Sequence, residues 1–474
     1  MIAFTAAEIA DITRGRLTGD PGIVPSSVVT DSREATPGSL YVAKLGEHAD
    51  GHDFVEPAFE RGAILALAER EVADAKGNLY PTIVVDDAVL AMGSLAAEVV
   101  RRIRAEREQR GEQFTLVGIT GSSGKTTTKD LMAGILSQAG PTVAPQGSYN
   151  GEVGVPLTVF AADTGTRFLV IEMGATGVGH IKYLADMVKP DIGAVLMVGS
   201  AHAGEFGGVE NIARTKGELV EALGEQGIAV INLDDARVAA MRARTKAKVV
   251  GFTAEPGTSG EIEARNVVLD AEGYPAFDLV LPDGGPSVHV HSRLIGAHHV
   301  TNLLAAAAAA FAAGIPAPDI ASSLSSQPAA SRWRMERTER RDGVTLINDA
   351  FNANPESMRA ALRTLAHLGQ GRRTWAVLGA MLELGEESIH EHTAVGAEVV
   401  RLNISRLLVV GHGAWEVIAS AVAGGHREDQ CWFVETTEEA YSILQKELSP
   451  GDLVLFKSSK QAGLRHLGDQ MASN

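Results

Sequence analysis

The stretch Gly118-Ile119-Thr120-Gly121-Ser122-Ser123-Gly124-Lys125-Thr126-Thr127-Thr128 concentrates the residue types that handle phosphate. Glycines let backbone N–H groups close around phosphate oxygens, and a helix beginning there would add its positive dipole end. Lys125 has the reach for β- and γ-phosphates, and the Thr126 hydroxyl is suited to a magnesium ion. Phe114-Thr115-Leu116-Val117 precedes the stretch with the residues of a buried strand, and Lys129 to Gly140 reads as a helix. Strand, glycine turn and helix are the setting of a P-loop, although the spacing departs from G-x-x-x-x-G-K-[ST]. Ile119 stands where that pattern has its first glycine. A glycine turn with a chance Lys-Thr is the plain alternative.

Further candidates follow predicted strands. Glu172 ends Phe168-Leu169-Val170-Ile171 and precedes small residues, the placement of a magnesium ligand; a surface glutamate is the alternative. His202 follows the strand predicted for Gly193 to Val198, as a ligand or as a structural histidine. Lys216 falls near the apolar face made by Ile212, Leu219, Val220 and Leu223. It is either a snorkelling lysine or a buried amine of lowered pKa, able to take up carbon dioxide as a metal-binding carbamate. Asn150 lies in a loop shaped by Gly151, Gly154 and Pro156, and Asn302 lies one helical turn after His298. Arg334 is suited to phosphate, and Asp349 follows a strand as a ligand residue would. Asp31-Ser32-Arg33 follows a short strand and reads equally as a solvated turn.

These residues need an ordered frame, and the chain is long enough for one. Its 474 residues correspond to about three domains, and 45% hydrophobic with 21% charged residues is ordinary for globular cores. Alternating strands and helices predict an α/β protein with domains at 1–110, 111–328 and 329–474. The central one is a parallel sheet bearing the P-loop, with an antiparallel insert over 261–294; the last is Rossmann-like. Arg101 to Glu112 reads as a charged helix end and linker, and Ser325 to Ser331 as the second linker. A formal charge of −17 argues against nucleic acid as a partner. The single cysteine, Cys431, excludes an internal disulfide and suits a reducing compartment. Met1 to Gly15 has no signal-peptide pattern, and the alanine-rich run Leu303 to Ala313 is too short to span a bilayer. A cytoplasmic protein without membrane insertion is expected.

Taken together, these motifs resemble the Mur ligases of peptidoglycan synthesis over essentially the whole chain. Thr120-Gly121-Ser122-Ser123-Gly124-Lys125-Thr126-Thr127 is similar to that family's P-loop, which accounts for the unusual spacing. Asn348-Asp349-Ala350-Phe351-Asn352-Ala353-Asn354-Pro355 resembles N-D-x-Y-N-A-N-P, and Gly379-Ala380-Met381-Leu382-Glu383-Leu384-Gly385 resembles G-x-M-x-E-L-G. Both motifs belong to the branch that adds D-alanyl-D-alanine to a UDP-N-acetylmuramoyl-tripeptide; the D-N-P-R of the diaminopimelate- or lysine-adding branch is absent.

The resemblance implies an ATP- and magnesium-dependent ligase working through an acyl phosphate, with a monomer as the expected state. It implies that Gly121, Ser122, Ser123, Gly124, Lys125, Thr126, Thr127, Asn302, Arg334 and Asp349 bind ATP. Thr126, Glu172, His202 and a carboxylated Lys216 would hold metal; Lys125, Lys216 and His202 would be catalytic; Ser32, Arg33 and Asn150 would meet the UDP-linked substrate. The departures are Asn150-Gly151 for Asn-Asn, His298-His299 for His-Asn, Phe351 for tyrosine, and Lys457-Ser458-Ser459-Lys460 for K-G-S-R. Two rival readings fare worse. Folylpolyglutamate synthetases carry the P-loop much nearer the N-terminus, and a switch GTPase would need N-K-x-D, which does not occur.

Overall fold

The computed structural model describes residues 2–46, 49–200, 203–282 and 284–473. Three sheets follow one another along the chain. In the first, five strands lie in the order Arg16–Thr18, Thr82–Val84, Ala63–Ala68, Ser39–Ala43, Ser27–Val29. All neighbours are parallel except the pair between Arg16–Thr18 and Thr82–Val84. The helix Ala88–Gln109 starts on Asp87, whose carboxylate accepts from the N–H groups of Val89 and Leu90.

That helix is also the bridge to the second sheet. Its buried Leu95, Val99 and Ile103 share one apolar cluster with Leu116 and Val159 of the next unit. The charged stretch 101–112 is thus mostly helix rather than linker, because its arginines are pinned. Arg104 pairs with Asp191 at 2.9 Å, and the buried Arg107 donates from Nε to the Gln113 carbonyl at 2.9 Å.

The central sheet has nine strands in the order Val288–His291, Pro275–Val280, Ile262–Leu269, Lys248–Thr253, Ile228–Asn232, Ile192–Val195, Thr115–Thr120, Phe168–Glu172, Thr142–Val143. From Ile262–Leu269 to Thr142–Val143 every pairing is parallel; the two beyond are antiparallel, so the insert extends the main sheet. Later strands of the chain lie on both sides of Thr115–Thr120, with Ile192–Val195 next to it on one side and Phe168–Glu172 on the other. The C-terminal end of Thr115–Thr120 is therefore a topological switch point, where open α/β sheets bind ligands. Phe168 to Glu172 are all buried, so the carboxylate that ends this strand is inside the protein. The predicted strand Gly193 to Val198 leaves the ladder at Val195, since the Val198 N–H goes instead to the Asp235 carboxylate.

Two helices back this crevice. Lys125–Ala139 begins four residues earlier than predicted, because Gly124 takes φ 84° and turns the chain directly into the helix. The three threonines thereby occupy the anion-binding first turn despite their modest helix propensity. His299–Ala312 packs against it with Ala305 to Ala310 fully buried, side chains small enough for close approach. Among the described residues, no helix is long and apolar enough to cross a membrane.

The third sheet has six strands in the order Glu336–Glu339, Thr345–Asn348, Leu453–Lys457, Thr374–Gly379, Arg406–Val410, Cys431–Val434. Only the first pair is antiparallel. Cys431 is half-buried in the edge strand. The strand Glu336–Glu339 is not anticipated by the sequence reading, since Glu-Arg-Thr-Glu has no apolar alternation; it holds an edge by backbone pairing and by the Glu339 carboxylate, which accepts from Thr345 Oγ1 of the neighbouring strand at 2.7 Å.

Candidate active site

A cavity of about 790 Å3 lies between the P-loop and the third sheet. Gly121, Ser122, Ser123, Gly124, Lys125, Thr126 and Thr127 form one wall. Gly124 is required twice over: its φ is positive, and a Cβ there would come within 2.2 Å of the Asn302 amide oxygen. Lys125 folds back to donate to the Gly121 carbonyl at 2.7 Å. Enclosure of its ammonium by protein atoms lowers its pKa, against the attraction of Glu172. A desolvated cation beside a helix N-terminus is a site prepared for an anion.

Glu172 is the polar hub of the next wall. Its Oε2 accepts from Thr126 Oγ1 at 2.9 Å, and its Oε1 accepts from Ser148 Oγ and Asn150 Nδ2, each at 2.8 Å. Arg334 crosses from the third unit and donates from Nη2 to Thr126 Oγ1 at 2.8 Å. Its guanidinium lies over the Phe351 ring at 4.3 Å, and its buried Nε has no partner. Phe351, in place of tyrosine, still supplies the ring face for this cation.

The residues present fit a magnesium ion in the chemistry of their donors. A threonine hydroxyl and a buried carboxylate meet at the end of a P-loop, and both are hard oxygen ligands. Lys216 lines the same cavity, is 5% exposed, and has its pKa lowered to about 7 by burial and then by Lys125. It forms no hydrogen bond with another described residue, and the snorkelling alternative does not describe it. His202 lies outside the described residues. Among those described, no group of three or more His, Cys, Asp or Glu side chains could by itself hold a metal.

The cavity is also lined by Asn302, which abuts the P-loop at Gly124, and by His298 and Asp349. Asn302 Nδ2 lies 3.2 Å from His299 Nδ1, and His298 presents a buried Nδ1 without a partner. Burial holds the His298 pKa down at about 4, so at neutral pH its imidazole is uncharged. Asp349 accepts from Lys457 Nζ at 2.6 Å and from the Met335 N–H at 3.1 Å.

Ser32 and Arg33 are not in this cavity. Ser32 is buried in a one-turn 3₁₀ helix; exposed Arg33 pairs with Asp31 at 2.6 Å, and that hydrogen bond brings Asp31 down to about 2. Asn150, grouped with them on the sequence, sits instead against Glu172. The sequence reading missed Ser148, Lys457 and Glu356 as cavity residues. Lys457 ends a strand on the ligand side of the third sheet, so the same rule that selected Asp349 could have found it. Ser148 and Glu356 carry no such signal.

Comparison with known proteins agrees with this geometry. Three family models match: "Mur ligase family, catalytic domain" over 26–100, "Mur ligase middle domain" over 119–310, and "Mur ligase, glutamate ligase domain" over 333–460. The chain belongs to the Mur ligase family. It is 40% identical to the UDP-N-acetylmuramoyl-tripeptide–D-alanyl-D-alanine ligase of Mycobacterium tuberculosis, over 100% of this chain and 98% of that one. The crystal structure of MurF from Acinetobacter baumannii superposes with a TM-score of 0.87 at 30% identity, covering 100% of both chains. A MurF ligase from Thermotoga maritima in complex with ADP superposes with a TM-score of 0.79 at 26% identity, covering 94% of this chain and 97% of that one.

Proposed function

We propose that this chain joins D-alanyl-D-alanine to UDP-N-acetylmuramoyl-tripeptide at the expense of ATP, giving the pentapeptide precursor of peptidoglycan. The observation that carries the reading is the pairing of a full-length 40% match to a ligase of that name with a P-loop facing Arg334 and Asp349 across one cavity. ATP is the nucleotide, in keeping with the ADP complex of the Thermotoga maritima relative. A carboxylate does not condense with an amine in water, because its oxygen is a poor leaving group. Transfer of the γ-phosphoryl group to the acceptor carboxylate supplies a leaving group, and the amine then displaces phosphate.

The residues divide this work by position. Lys125 and the N-terminal turn of its helix hold the β- and γ-phosphates and offset charge as the phosphoryl group moves. Arg334 reaches the same end of the nucleotide from the third unit, with its unpartnered Nε available to phosphate oxygens. Asn302 and His298 line the same cavity and are assigned to the base, and the Asp349 carboxylate is assigned to the ribose. Thr126, Glu172, Lys216 and His202 are the residues that would hold magnesium, which when bound neutralises phosphate charge. Ser32 and Arg33, about one domain away from this machinery in sequence, are assigned to the UDP end of the acceptor. The arrangement is read as three units, 1–110, 111–328 and 329–474, acting as one monomeric enzyme in the cytoplasm.

The test is phosphate release from ATP with UDP-N-acetylmuramoyl-tripeptide and a panel of amines: D-alanyl-D-alanine, D-glutamate, L-lysine and diaminopimelate. Release is expected with the dipeptide and the tripeptide acceptor together. Turnover with a single amino acid and not with the dipeptide would overturn the assignment.

A further inference from the structure

Five carboxylates line the cavity: Glu172, Asp234, Asp235, Asp349 and Glu356. Four of them are bound at both oxygens. Glu172 is held by Thr126, Ser148 and Asn150, and Asp349 by Met335 and Lys457. Asp234 is held by Thr253 and the Ala254 N–H, and Asp235 by the N–H groups of Arg237, Val238 and Val198. Glu356 differs. Its Oε1 accepts from the Ser200 N–H and Ser200 Oγ, both at 3.0 Å, while Oε2 is buried with no partner.

The position of this carboxylate is built rather than incidental. Glu356 is the second residue of the helix Pro355–Leu368, whose dipole favours an anion there. Asn354, the N-cap of that helix, donates to Ser123 Oγ of the P-loop at 3.3 Å. Gly199 donates from its N–H to Ser122 Oγ at 2.9 Å, and a Cβ on Gly199 would fall 2.8 Å from Glu356 Oε2. A glycine is thus what admits the carboxylate beside the phosphate loop.

We propose that Glu356 receives the ammonium group of the incoming dipeptide and takes its first proton. This deepens the ligase reading and rests on it. The dipeptide enters as R–NH3+, which has no lone pair for attack. One N–H proton passes to Glu356 Oε2, leaving R–NH2 and a neutral carboxylic acid. The nitrogen lone pair forms the new C–N bond at the acyl phosphate carbon, and the C–O bond to phosphate breaks. A second N–H proton leaves with the phosphate, and Glu356 returns its proton to solvent. The carboxylate is the only one in the cavity, among the described residues, with an oxygen that has no partner.

The experiment compares wild type with Glu356→Gln and Glu356→Asp, using two nucleophiles with ATP and the tripeptide acceptor. D-alanyl-D-alanine must lose a proton before attack; hydroxylamine is largely uncharged at neutral pH and traps an acyl phosphate as the hydroxamate. Glu356→Gln is expected to slow dipeptide ligation by roughly 100-fold or more, the range of a general base, while hydroxamate forms at the wild-type rate. Glu356→Asp keeps a carboxylate and is expected to fall between the two with the dipeptide, again with wild-type hydroxamate formation. Dipeptide ligation at the wild-type rate in Glu356→Gln would overturn the proposal. So would equal slowing of both nucleophiles, which would make Glu356 a latch between Ser200 and its helix. A wild-type protein that gives neither product sinks the ligase reading itself, a distinguishable result.

Discussion

Lys125→Ala is expected to lower ATP-dependent ligation by roughly 100- to 1000-fold while leaving the fold intact. The size follows from where the ammonium sits. It is the cation of the glycine loop, enclosed by protein and bonded, among the described residues, to the Gly121 carbonyl alone. In such a desolvated place, a charge aimed at a transferring phosphoryl group is worth far more than in water. The truncation removes a cation that burial already disfavours and that, among the described residues, forms no ion pair, so the fold is expected to survive it. Steady-state kinetics beside a thermal melt would check both halves. Turnover close to wild type in a folded variant would show that the loop does not bind the reacting phosphates.

The second large effect is expected at Lys216. Lys216→Ala should lose most activity, by about 100-fold, and regain part of it in excess acetate, whose carboxylate can occupy the space of the deleted group. The amine is buried, has its pKa brought down to about 7 by burial and then by Lys125, and stands in the cavity with Glu172. Above that pH it is mostly neutral, the form that adds carbon dioxide to give an anionic carbamate. Such a group would remove a positive charge from the proposed magnesium site and add a hard oxygen ligand. Lys216→Arg should not be rescued, because the guanidinium stays charged and fills the space. Full activity of Lys216→Ala without added carboxylate would mean that the side chain has no part in the metal site.

The legible part of the fold was the part patterned by burial and by caps. Ile228–Asn232, Arg406–Val410, Cys431–Val434 and Leu453–Lys457 are apolar runs with breakers around them, and they are the strands found. Pro355–Leu368 was equally plain, since Pro355 follows Asn354 and the structure has that asparagine in a capping box with Ser357. The edge strand Glu336–Glu339 was not legible, because it is held by pairing with its neighbour and a polar contact to Thr345, and not by an apolar pattern of its own. The helix start at Lys125 was hidden by three β-branched residues whose placement serves the loop rather than helix propensity.

The candidate site divides in the same way. The P-loop, Glu172 and Asp349 follow strands in sequence, and strand ends can be read locally. The contact between Arg334 and Thr126 joins residues 208 positions apart, and no local pattern encodes it. Asn150 was separated from Glu172 for the same reason, and Glu356 has meaning only once Ser200 and Gly199 are brought against it. Trp333 and Met335 flank Arg334 with φ of 59° and 53°, unusual for residues with side chains. This backbone turns Arg334 toward the P-loop, and the sequence gives no sign of it.

The central claim is that the P-loop cavity activates the acceptor's carboxylate by phosphorylating it. The most direct measurement uses UDP-N-acetylmuramoyl-tripeptide labelled with oxygen-18 in the reacting carboxylate, together with ATP and D-alanyl-D-alanine, and mass analysis of the released phosphate. Passage through an acyl phosphate leaves one carboxylate oxygen on phosphorus, so each phosphate released should carry one labelled oxygen from a fully labelled acceptor. Ligated product accompanied by unlabelled phosphate would contradict the account.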